Sequence, residues 1–139
     1  MATLTTKITE SVTINGKAYG NTVTETTTGV NDVSEAIVSI STAEATVLDI
    51  VLAKASIGSV VQGNLKYVRI TNKSAVNFIN ITLNGNGVSD KAIIKLNPSQ
   101  SFILNNDEIN FGSGYIYLDN ITLSADTAVC DCEFFIATA

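Results

Sequence analysis

Apolar residues in this chain recur at every second position and are interrupted by turn-forming residues at intervals of roughly 8–12 residues, a spacing that selects short strands over helices. The opening segment shows the pattern. Leu4, Ile8, Val12 and Ile14 stand on even positions, with Thr5, Lys7, Thr9, Ser11 and Thr13 between them. Asn15-Gly16 then supplies the two positive-φ positions of a type I′ turn, so residues 18–28 are expected to return alongside. Within that return, TVTETTT (22–28) is β-branched almost throughout yet nearly lacks large apolar groups, which places it at an edge.

Further strands are expected at 36–41 and 46–52. The second competes with a helix over AEATVLDIVLAKA, opened by a capping box at Ser41 to Glu44; Val47, Ile50 and Val51 favour the strand. Ile57-Gly58 and Gln62-Gly63-Asn64 bracket a loop. KYVRITNKSAVNFINITL (66–83) reads as two strands joined at Asn72-Lys73-Ser74. In the first, Leu65, Tyr67, Arg69 and Thr71 face away from Lys66, Val68 and Ile70, so cover is expected on both sides. In the second, Ile79, Ile81 and Leu83 share a face, before a turn at Asn84-Gly85-Asn86-Gly87. Strands at 91–96, 101–104, 115–119, 121–124 and 128–136 bring the count to about ten. With no linker and no helix, the pattern predicts an all-β fold: residues 1–139 as a single antiparallel β-sandwich, jelly-roll-like in its connections.

Only 15% of the 139 residues are charged, against about 25% in ordinary soluble domains, while mean hydropathy is +0.29. Thr, Ser and Asn take the place of charges, giving a neutral polar exterior with surplus apolar area, a surface suited to permanent assembly. The net charge is −5, and the eight Lys and Arg residues are scattered, so no stripe exists to bind a phosphate backbone or an anionic membrane. No apolar run approaches a membrane span, and MATLTTKITE lacks the apolar core of a secretory signal. Three glycosylation sequons, at Asn72, Asn80 and Asn120, are therefore expected to stay unmodified.

The chain has no histidine, which removes Ser-His and Cys-His nucleophilic pairs and the common zinc and iron sites. Asp107, Glu108 and Asp119 read as solvated residues without a sugar platform, and Asp49, amid Val47, Leu48, Ile50 and Val51, as the outward member of a strand. Cys130 and Cys132 fall on one strand face roughly 6.5–7 Å apart, too far for an easy disulfide, and read as small buried apolar groups. Arg69, the chain's one arginine, is placed mid-strand and expected in an ion pair within the sheet or across an interface. Neither cofactor, metal nor catalytic residue is expected.

KYVRITNKSAVNFINITL, with KITESVTINGKAYGNT, AIIKLNPSQSFIL and the closing TAVCDCEFFIATA, resembles small virion structural proteins of tailed bacteriophages, especially marine ones. The resemblance covers most of the chain and marks strands and turns; Asn97-Pro98-Ser99 departs from it where a glycine-containing turn is expected. It implies a non-enzymatic part of the virion, assembled in a host cytoplasm. The first expectation is a capsid decoration or cement protein bound to the major capsid protein or another virion protein. A tail, head-fibre or host-attachment component is the alternative, and a glycan-binding sandwich module, for which only Tyr115 and Tyr117 form a close aromatic pair, the second. A homo-oligomer, with a trimer as its expected closed form, fits the low surface charge. Residues 1–14 are the candidate for strand exchange with a neighbour, and Leu4, Ile8, Val12 and Arg69 are the candidate assembly contacts.

Overall fold

The computed structural model describes residues 1–52, 59–87 and 89–139, in which fourteen strands and no helix are found. Two sheets pack face to face. One runs β10 (Lys91–Leu96), β9 (Ile79–Gly85), β13 (Tyr115–Ala125), β6 (Ala45–Val51), β7 (Ser59–Val61), with β12 (Glu108–Asn110) added on β13; the other runs β11 (Ser101–Leu104), β8 (Leu65–Asn72), β14 (Cys130–Thr138), β5 (Asp32–Ile40). Every ladder among the described residues is antiparallel except the short β6–β7 pair. The all-β sandwich is therefore as the alternation predicted.

The core is filled from both sides by the inward positions of each strand. Leu48, Ile50, Ile79, Ile81, Leu83, Leu118, Ile121 and Leu123 of the first sheet meet Val68, Ile70, Cys130, Cys132 and Phe134 of the second. Asp49 points outward from β6, as expected. A bulge where β6 crosses β13 skips Val47, so Val47 and Leu48 both turn toward the interior of the sandwich.

The strand count differs from about ten for local reasons. Residues 115–125 form one strand instead of two, because Asp119 is taken up as a bulge between Leu118 and Asn120 and the ladder to β9 resumes at Asn120, which also pairs with β6. The expected loop before Leu65 contains β7, with Ile57-Gly58 outside the described residues, and β12 was not foreseen. The strand expected from Val76 starts only at Ile79: the Ser74 hydroxyl accepts the amides of Val76 (3.2 Å) and Asn77 (3.0 Å), closing a turn that competes with the ladder. Both special turns obey their chemistry. Asn15 and Gly16 take φ 51° and 77°, as type I′ requires, and Pro98-Ser99, with Ser99 at φ 61° and Gln100 N donating to Asn97 O at 3.3 Å, has the form of a type II turn. Ser99 thus occupies the position for which glycine was expected.

The N-terminal residues build a separate element. β1 (Ala2–Thr9) and β2 (Val12–Ile14) pair with β4 (Thr22–Val30) and β3 (Lys17–Tyr19) in one continuing register, joined by Glu10 N donating to Asn21 O at 2.9 Å. The result is a long two-stranded ribbon. It lies across the outer face of the β11-β8-β14-β5 sheet, anchored where Leu4 and Val30 pack on Tyr67, Phe135 and Ala137.

Candidate assembly surface

The ribbon inherits two unlike faces from the strict alternation of its strands. Thr3, Thr5, Lys7 and Thr9, opposite Thr28, Thr26, Thr24 and Thr22, make a polar face; Leu4, Ile8, Val12 and Ile14, with Val23 and Tyr19, make an apolar one. An isolated hairpin of this kind is marginal in water, so its apolar face needs a sheet to lie on. Only its root has one. Tyr67 and Phe135 meet edge-to-face at 5.9 Å beneath Leu4, and Asn105 Nδ2 reaches Glu25 at 3.3 Å just past the end of β11. Beyond that point Ile8, Val12, Ile14, Tyr19 and Val23 remain 41–55% exposed.

The expected assembly contacts divide accordingly. Leu4, Ile8 and Arg69 come together in a shallow recess between ribbon and sheet, whereas Val12 stands on the overhang. Arg69 donates to Glu133 Oε1 on the neighbouring strand (2.6 Å) and to Thr71 Oγ1 (2.7 Å), and Lys73 approaches the same carboxylate at 3.6 Å. The hydrogen bond and charge of Arg69 hold the Glu133 carboxyl below the usual carboxylate range. Arg69 therefore ties β8 to β14 beneath the ribbon. Residues 1–14, expected to exchange with a neighbour, pair through β1 and β2 with β4 and β3 of their own chain, and among the described residues the outer edges of these ribbon strands have no strand partner.

At the opposite side of the same sheet the sandwich opens. β5 pairs with β14 alone among the described residues, and all of it but Ile40 is exposed. Between it and β6–β7 lies a cleft of about 680 Å³ whose apolar walls include Ala36, Val38, Val47, Leu48, Phe134 and Ile136. This cleft was not foreseen. AIVSIS reads as an ordinary strand, and alternation alone cannot tell an inward position that is covered from one that is not.

Protein-family models, curated proteins and solved structures yield no match to this chain.

Asp107 corrects the sequence reading: it is buried rather than solvated, its carboxylate accepting the Gly63 amide at 2.8 Å and its carbonyl the Leu118 amide at 2.7 Å, so that it joins two turns to β13. The Asn72 sequon is closed to modification in the folded chain, since Asn72 is wholly buried. Tyr115 and Tyr117 are exposed on one face of β13 rather than in the core. Cys130 and Cys132 are free and buried, and burial, followed by the neighbouring Cys130 and Asp131, pushes the Cys132 thiol up to about 12. Since the thiolate is the reacting species, iodoacetamide should label the native protein at least about a hundredfold more slowly than the unfolded chain. Prompt labelling of both sulfurs in the native state would mean that the β14 core opens readily.

Proposed function

We propose that this protein is a non-enzymatic structural component of a virion, a decoration or cement protein that binds the outer shell and stabilises it. The observation that carries the reading is the apolar ribbon overhang, a surface that gains free energy only by lying on another protein. The resemblance of the strand motifs to phage virion proteins supports the particle as its setting. The sandwich, which we take to be of jelly-roll type, is an architecture that viral capsid and lectin domains share. A ligand that prefers the mature shell stabilises it by its differential affinity, so contacts made many times over a particle need not each be strong.

Tyr115 and Tyr117 favour a second reading, a tail or head-fibre part that touches host glycans, because exposed aromatic rings on one face can stack on sugars. Cryo-electron microscopy of particles carrying this protein, with copy number from quantitative mass spectrometry, separates the two. Hundreds of copies on the outer shell are expected; a few tens at a vertex or along the tail would replace the cement reading, and absence from particles would end both.

A further inference from the structure

We propose that the overhanging ribbon of one copy docks on the β5 edge and cleft of a second copy, so that the chain associates head to tail. The inference rests on reading the ribbon as an assembly element and does not depend on which particle it serves. Donor and acceptor are both in the same molecule. The ribbon crosses β14 and β8, passes the end of β11 at Asn105, and projects from that side. The cleft lies at β5, the other edge of the four-stranded sheet. A ribbon anchored at Val30, with Asn31 N bonded to Thr138 O at 2.8 Å, leads away from its own cleft.

The two surfaces match in form. Among the described residues the outer edge of β5 has no partner along its nine residues, so the overhanging strands β2 and β3 can add there and extend the sheet. Addition also fits the alternation. With its apolar face turned inward, the ribbon lays Val12, Ile14, Tyr19 and Val23 over the walls formed by Ala36, Val38 and Phe134, and leaves its threonines in water. β5 carries Asp32 and Glu35 and no cation; at the far end of the ribbon Lys17 can meet one of these carboxylates, while Glu10 and Glu25 leave the ribbon as a whole neutral. Protected edges usually carry lysine, proline or a bulge, and DVSEAIVSI has no lysine or proline. Because donor and acceptor are different patches, the contact is heterologous, and its repetition closes a ring or extends a filament.

The test is a complementation experiment by light scattering and sedimentation on the full chain. The wild-type protein should exceed its 14.6 kDa monomer mass in a concentration-dependent way. Val12→Asp with Ile14→Asp damages the donor, and Ala36→Lys with Val38→Lys the acceptor; all four side chains are exposed, so circular dichroism should stay unchanged. Each double variant alone should be monomeric, its self-association weakened at least about a hundredfold. Mixed, they should form a species of two chains and no larger, since one intact donor meets one intact acceptor. A monomeric wild type, a variant that keeps the wild-type mass, or a mixture without the two-chain species would each overturn the proposal. Hydrogen exchange on the wild type is independent of any variant: amides of β5 should slow as concentration rises, and their indifference would also overturn it.

Discussion

Replacing Ile121 by alanine should lower the stability of the folded chain by about 3–4 kcal/mol, read as a shift in urea midpoint at unchanged slope. Ile121 is fully buried and sits at the middle of β13, which pairs with both β9 and β6, so the cavity opens where neither neighbour can move in to fill it. The loss combines the transfer free energy of the deleted carbons with the contacts their removal leaves unmade. Against a total stability of about 5–15 kcal/mol, that is a large fraction. Ile93→Ala supplies the control. Ile93 lies on β10 of the same sheet but is 68% exposed, and its truncation should stay within about 0.5 kcal/mol. Similar losses at the two positions would mean that the sandwich does not pack as described.

A second large effect is expected at Asn72, the hinge between the two strands of KYVRITNKSAVNFINITL. Its amide donates to the carbonyls of Asn77 (2.9 Å) and Leu96 (3.2 Å), and its side-chain oxygen accepts the Ser74 amide at 3.0 Å, all with the residue wholly buried. Asn72→Leu preserves bulk but removes these partners at once. Unpaired buried polar groups cost about 1–3 kcal/mol each, so a loss of about 3 kcal/mol is expected even after partial relaxation. Asn72→Asp keeps the acceptor and removes the donors, setting a carboxylate against two carbonyls. The folded state then holds that carboxyl's proton more tightly than the unfolded state does. The deficit relative to wild type is therefore greatest at neutral pH and shrinks as pH falls through the carboxyl range. Denaturation of the two variants at pH 7 and pH 4 checks this. An Asn72→Leu variant as stable as wild type would show that the hinge is held by backbone alone.

Much of this was legible in the chain because strands write their own period. Asn15-Gly16 announced its hairpin, Ile79, Ile81 and Leu83 announced their shared face, and the two-sided cover of β8 followed from Tyr67 standing opposite Val68 and Ile70. Chemistry with a local range also showed through: the spacing of Cys130 and Cys132 argued against a bridge, and both are free. Asp107 was misread because its burial depends on Gly63, 44 residues away, a pairing that no local pattern encodes.

The limit falls at the point where one face of a strand must find another. By itself the sequence determined that the ribbon would have an apolar and a threonine face, since side-chain direction alternates within a single strand. Only the tertiary structure decided that Leu4 is covered by Tyr67 and Phe135 while Val12, Ile14 and Tyr19 project past the sheet, and that Ala36 and Val38 line an open cleft. Alternation is a property of the backbone and is local, whereas cover is a property of how far the opposing sheet extends, and that is set by strand order and register across the whole chain.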